Sequence, residues 1–166
     1  MKLLLTTLCL AFALGASSQS FKLSELDSAE FFNFWEGKWN ASWAEGDKMG
    51  KGTNELTWIM GGKVLQEDFN ILEGQSKGFI GGSLSVFQPR TNTWRQAWAD
   101  NQGGYFDFIG DFMGDKRIFK TRGTPFVQRM VFYDIKKDSF MWDWESSQDG
   151  GETWTLNWRI TYTRAK

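Results

Sequence analysis

The sequence predicts an all-β fold, a ten-stranded antiparallel up-and-down β-barrel with one short N-terminal helix. Three observations carry that prediction. From Gly37 onward apolar and polar residues alternate in short runs, the period-two pattern of strands with one buried face. Clusters of Gly, Asn, Asp and Pro separate the runs at short, near-equal intervals, with no helical period between them, so the pairing is antiparallel rather than βαβ. The chain also closes on a hairpin, with two aromatic arms around Asp149-Gly150-Gly151. Ten strands in one small domain close on themselves; a two-sheet sandwich is the alternative, and the short reversals favour the meander.

The helix is predicted over Ser28 to Phe34. Asp27 is a good N-cap, Glu30 completes a capping-box variant, and Leu26 with Phe31 are spaced as a hydrophobic staple. The first strand follows from Gly37 to Trp43, with a turn at Gly46-Asp47 and Gly50. Further strands are predicted over Thr53–Met60, Val64–Leu72, Gly78–Phe87, Thr93–Asp100, Tyr105–Phe112, Arg117–Arg122 and Phe126–Asp134, each ended by a turn signal. Gly81-Gly82 reads as a bulge or bend inside its strand. The last two strands are the hairpin arms. Phe140, Trp142 and Trp144 share one face of the outgoing arm, and Trp154, Leu156, Trp158, Ile160 and Tyr162 share one face of the returning arm.

Residues 1–20 read as a cleaved secretory signal: a basic start at Lys2, an apolar stretch from Leu3 to Leu14, then small residues through Ser20. That stretch is shorter than the roughly 20 residues a bilayer crossing needs. The organisation is therefore a signal over 1–20, a helical lead-in over 21–36 and a barrel over 37–166, with the product exported, periplasmic or extracellular. The lone Cys9 leaves with the signal, so the core must stabilise the domain without a disulfide. Loss of Lys2 moves the formal charge from −1 to −2. That balance, with no basic block, argues against nucleic acid or an anionic membrane as the main partner. The chain has no histidine, and with Cys9 gone the usual ligands for zinc, iron–sulfur and haem are missing, so no metal or cofactor is expected. Oligomeric state is not legible.

Several of these features together resemble a known group. Gly37-x-Trp39 after a short helix resembles the lipocalin opening, and Arg164 falls where the calycin superfamily places an Arg that packs over that Trp. Ten strands are similar to the fatty-acid-binding and nitrobindin branch. The combination of Trp35-x-Gly37-x-Trp39, Trp94-x-Gln96-x-Trp98-x-Asp100, the Glu145-to-Trp154 turn and Tyr162-x-Arg164 resembles exported bacterial lipocalin-like domains of unknown function. The resemblance spans nearly the whole predicted mature chain and implies a calycin-type fold, not a particular activity. The closing turn, with Ser147, Asp149, Gly151, Thr153 and Trp154, resembles an Asp-box hairpin. Its single copy and the lack of any internal repeat exclude a propeller, so its side chains are expected to hold the turn together.

Ten tryptophans make the interior the place to look for a site. With Trp39 inward by the lipocalin analogy, strand parity brings Trp43 with it, and cross-strand matching adds Trp58, Trp94, Trp98, Trp142 or Trp154, and Trp158. Either these rings fill the barrel, or they line a cavity with Gln96, Asp100 and Arg164 as polar members. The candidate ligand-binding set is thus Trp39, Trp43, Trp58, Trp94, Gln96, Trp98, Asp100, Trp158 and Arg164, with Arg164 favoured as a stacking partner of Trp39. The expected function is binding of a small apolar or aromatic ligand, without catalytic residues. Two alternatives stand beside it. A carboxylate-dependent hydrolase or isomerase would need Asp100, Asp143 or Glu145 inward with a raised pKa; a glycan- or partner-binding surface would need outward tryptophans. The same-face pairs Asp143/Glu145 and Asp107/Asp111 are expected to be solvated.

Overall fold

The computed structural model describes residues 26–123 and 125–166; the expected signal segment lies outside them. Ten strands form one closed antiparallel barrel in which each strand pairs with its sequence neighbours and β1 pairs with β10. They are β1 (Gly37–Glu45), β2 (Lys48–Ile59), β3 (Val64–Glu73), β4 (Ile80–Gln88), β5 (Thr93–Asp100), β6 (Tyr105–Met113), β7 (Lys116–Thr121), β8 (Val127–Tyr133), β9 (Ser139–Ser147) and β10 (Thr155–Arg164). The expected up-and-down barrel is the architecture observed. Closure leaves no unpaired sheet edge, which is how such a barrel satisfies all its ladders.

Burial alternates along the strands as half-buried pleats require. Trp39, Ala41 and Trp43 point inward from β1, and Leu65, Glu67, Phe69 and Ile71 from β3. The short helix takes the form of two 3-10 turns, Ser28–Glu30 and Asn33–Trp35, the first capped by Asp27, whose side chain accepts from Ala29 N at 3.0 Å. This lead-in plugs one end of the barrel. Phe32 is fully buried, stacked on Phe119 at 4.3 Å and set edge-on to Trp94 and Phe132. Two indole donors tie the plug down: Trp39 Nε1 to Trp35 O at 2.8 Å and Trp94 Nε1 to Ser28 O at 2.7 Å.

Three local expectations are corrected. Gly50 lies within β2 rather than in a turn, because the Trp43 ring covers it; a Cβ there would fall 2.2 Å from Trp43 Nε1. Gly81-Gly82 carries no bulge, and its register with both neighbours is continuous. These glycines exist for clearance: a Cβ on Gly81 would meet the Trp98 ring at 2.2 Å, and one on Gly82 the Glu67 carbonyl oxygen at 2.7 Å. The parity expected for the returning arm also fails at its start. A register shift between Leu156 and Trp158 pairs Leu156 with outward Glu145 but Trp158 with inward Trp144. One extra residue in the strand turns Trp154 and Leu156 to the outside.

Candidate functional site

The end opposite the plug is where β1, β3, β5, β7 and β9 finish, and it is open. Beneath it lies a cavity of about 160 Å³. Trp98, Trp142, Trp144 and Trp158 form its walls with Phe69, Phe106 and Phe108, while Asp100 and Phe79 stand at the rim and Glu67 and Tyr162 are set deeper. A more polar hollow of about 300 Å³ adjoins it, sharing Phe79 and Trp158 and adding Trp43, Glu45 and Gln75.

Each wall residue is placed by pairing across the sheet. Trp144 opposes Trp158 and Trp142 opposes Ile160 on adjacent strands, and the Trp142 and Trp144 rings stack at 6.4 Å. Trp158 meets Trp142 edge-on at 5.8 Å and Trp43 at 5.0 Å. On the facing wall Trp98 stacks on Phe79 at 6.4 Å and lies over Gly81. Edge-to-face and offset contacts of this kind hold rings in fixed orientations.

The polar end of the cavity was not anticipated. Glu67 has only 7% of its surface exposed, and its carboxylate accepts from Asn54 Nδ2 at 2.7 Å and Ser83 Oγ at 2.6 Å. Burial pushes its pKa up to about 7, opposed by the Ser83 and Asn54 bonds and helped by nearby Asp68. Tyr162, also buried, is raised well above the ordinary phenol value, first by burial and then by the Glu67 charge. The Asn54 amide pulls weakly the other way, yet its Oδ1 makes no hydrogen bond of ordinary geometry among the described residues. Strand parity with Leu65, Phe69 and Ile71 was the signal that puts Glu67 inside.

The expected binding residues fall into three groups. Trp98, Asp100 and Trp158 line the cavity, and Trp43 lines the adjoining hollow, its Nε1 bonded to Glu45 at 2.8 Å. Trp39, Trp58 and Trp94 pack toward the plugged end; Trp58 and Trp94 touch at 6.3 Å. Gln96 is buried in the barrel wall, donating to Ser85 Oγ at 2.9 Å. Arg164 is on the plug side, over Trp39. Of the pair Trp142 or Trp154, Trp142 is inside; Trp154 lies over Arg129 on the outer surface at 3.7 Å.

Asp100 is a turn residue as much as a rim residue. It accepts from Gln102 N, Gly104 N and Trp98 Nε1. Burial acts to raise its pKa, but those bonds outweigh it and hold the carboxyl below its ordinary value. Asp143 and Glu145 point outward and are ion-paired rather than freely solvated. Asp143 is bidentate with Arg159 at 2.8 and 2.6 Å, and Glu145 meets Arg129 at 2.6 Å. Asp107 pairs with Arg95, and Asp111 with Lys120. None of the ten tryptophans is fully exposed. Among the described residues no group of three His, Cys, Asp or Glu side chains is placed to hold a metal ion, and no helix is long and apolar enough to cross a membrane.

The fold and cavity define a class, a closed ten-stranded antiparallel barrel with an aromatic pocket open at one end. No protein-family model matches the chain, and no curated protein matches it in sequence.

Proposed function

We propose that the protein binds a small, largely apolar or aromatic molecule in the open half of its barrel, outside the cytoplasm. The observation that carries this reading is the aromatic cavity with a few polar groups in its lining, the usual make-up of a small-molecule pocket. Its size narrows the ligand. A cavity of about 160 Å³ compares with the roughly 150 Å³ that takes up one benzene molecule, so a single ring or short chain suits it better than a long acyl chain or a porphyrin. The adjoining hollow leaves room for a polar extension toward solvent. Export is supported by the signal-like residues 1–20, and the resemblance to exported lipocalin-like domains points the same way.

The other two readings have less behind them. The carboxylates named for hydrolysis face outward in ion pairs or cap a turn, and no outward tryptophan forms an exposed aromatic patch. The test is titration of the purified protein with single-ring compounds while following tryptophan emission. Trp98, Trp142, Trp144 and Trp158 surround the cavity, so an occupant changes their fluorescence. No response across apolar, phenolic, amine and carboxylate compounds would remove the reading.

A further inference from the structure

Glu67 stands out because no Lys or Arg among the described residues pairs with it. The outward carboxylates Asp107, Asp111, Asp143 and Glu145 each meet a Lys or Arg. Glu67 makes no ion pair among the described residues and is held only by the neutral donors of Asn54 and Ser83. A buried carboxyl without a cation is an expensive group to keep in a barrel interior, and a hydrophobic residue at the same inward position would pack without that cost.

The surroundings repeat the same sign. Three carboxylates, Glu67 in the cavity, Asp100 at its rim and Glu45 in the adjoining hollow, border the two spaces, and neither lining contains a Lys or Arg. A cleft walled by apolar rings and edged with one sign of charge focuses its field on the opposite charge. Asn54, which orients Glu67, is itself fully buried and not part of the cavity lining. The polar end of the cavity thus offers the Glu67 carboxylate beside the Tyr162 phenol, and a carboxylate calls for N–H donors. Around them the faces of Trp98, Trp142, Trp144 and Trp158 suit a ring or a cation equally.

We infer that the cavity is a receptor for a small organic amine in its ammonium form, the charged nitrogen against Glu67 and the apolar body among the tryptophans. This rests on the ligand-binding reading above and names the class of ligand. The geometry is prepared in advance: Glu67 is already desolvated and oriented by two hydrogen bonds, so binding is spared that part of its cost.

A protonation step follows. Near neutral pH Glu67 is partly protonated, and an ammonium group draws it to the carboxylate, so binding releases a proton. No other group facing Glu67 confuses that signal. Tyr162 from β10 stays neutral in this range, β2 and β4 present Asn54 and Ser83, and Asp68 is exposed on the outer face of β3. Asp100 at the rim is held below its ordinary value by its turn hydrogen bonds, so it stays ionised across this range.

The experiment compares three probes of one shape, benzylammonium, benzyl alcohol and benzoate, by isothermal titration calorimetry at pH 8 and constant ionic strength. The expected order is benzylammonium at least tenfold tighter than benzyl alcohol, with benzoate weakest. Repeating the benzylammonium titration at pH 6 in buffers of different ionisation enthalpy should show proton release and weaker binding. Glu67→Gln, with its folding checked by circular dichroism, should bring the amine's affinity down to that of the alcohol. Benzyl alcohol binding as tightly as benzylammonium, or amine binding without proton release, would overturn the inference and leave the ligand-binding reading standing. Failure of all three probes to bind would count against both. Should Glu67→Gln not fold, the probe order and proton release in the unsubstituted protein decide the matter.

Discussion

The Arg164 guanidinium sits 3.9 Å from the Trp39 ring centre, joining the last residue of β10 to the first strand across the seam where the barrel closes. The same side chain donates to Lys137 O at 3.1 Å, Glu36 O at 2.9 Å and Phe34 O at 3.4 Å. One cation therefore binds the seam, the lead-in and the β8–β9 turn together. Arg164→Ala should destabilise the fold by about 2–4 kcal/mol, summing a partly desolvated cation–π contact and charged hydrogen bonds. Arg164→Lys should recover only part of this, because an ammonium lacks the planar fork that reaches several carbonyls at once. Chemical denaturation of both variants measures it; equal stability for Ala and the parent would show that the seam does not depend on Arg164.

Gly81 predicts a steric effect of the opposite kind. Its backbone is ordinary strand, so the constraint is the Trp98 ring occupying the place of a Cβ. Gly81→Ala should cost roughly 1–3 kcal/mol, the usual penalty for overpacking. It should also push Trp98 into the cavity and weaken binding of any ring-sized ligand. Thermal melts and ligand titration read the two effects separately.

Glu67 makes stability depend on pH. Its pKa of about 7 in the folded state is above the ordinary carboxyl value of 4.5, so the folded protein holds the extra proton between these values. Stability is then full below about pH 4.5, falls as pH rises through 7, and levels off above, a loss on the order of 3 kcal/mol for one buried carboxyl. Glu67→Gln should flatten that slope. Denaturation midpoints at pH 5 and pH 8 for parent and variant check it, and an unchanged slope in the variant would assign the effect elsewhere.

The closing turn predicts a local effect. Asp149 accepts from Ser147 Oγ, Glu152 N, Thr153 N and Thr153 Oγ1, and Gly150 and Gly151 supply the positive φ the loop needs. Those bonds, Ser147 first and then Thr153, hold the Asp149 carboxyl well below its ordinary value. The stabilisation is present above that ordinary value and is lost only as the solution becomes strongly acid. Asp149→Ala should speed amide hydrogen exchange at Glu152 and Thr153 while leaving the β3–β4 ladder protected. Uniform loss of protection would mean the turn and the barrel open as one unit.

Much of the architecture was legible because it is local. Turn residues recur along the chain, alternation sets one face inward, and ten such strands have few ways to hide their edges. The Trp39–Arg164 contact, by contrast, was expected only through the resemblance to the calycin pattern, not from any local feature of the chain. The candidate site was legible only in part. Trp98, Asp100 and Trp158 fall on its lining, whereas Trp39, Trp58 and Trp94 belong to the plugged end, because the lead-in occupies that half of the barrel.

The amino-acid sequence by itself determined the strand number, the antiparallel order, the aromatic interior and the turn that clasps the last hairpin, since each follows from period, spacing or local side-chain chemistry. Tertiary structure decided the rest. The one-residue shift beside Leu156 reversed the facing of Trp154, and the depth of the lead-in set how much of the interior stays open. Glu67 acquired its meaning only when Asn54, Ser83 and Tyr162 closed around it from three other strands. Such outcomes depend on contacts between residues far apart in the chain, and no local pattern encodes the register that brings them together.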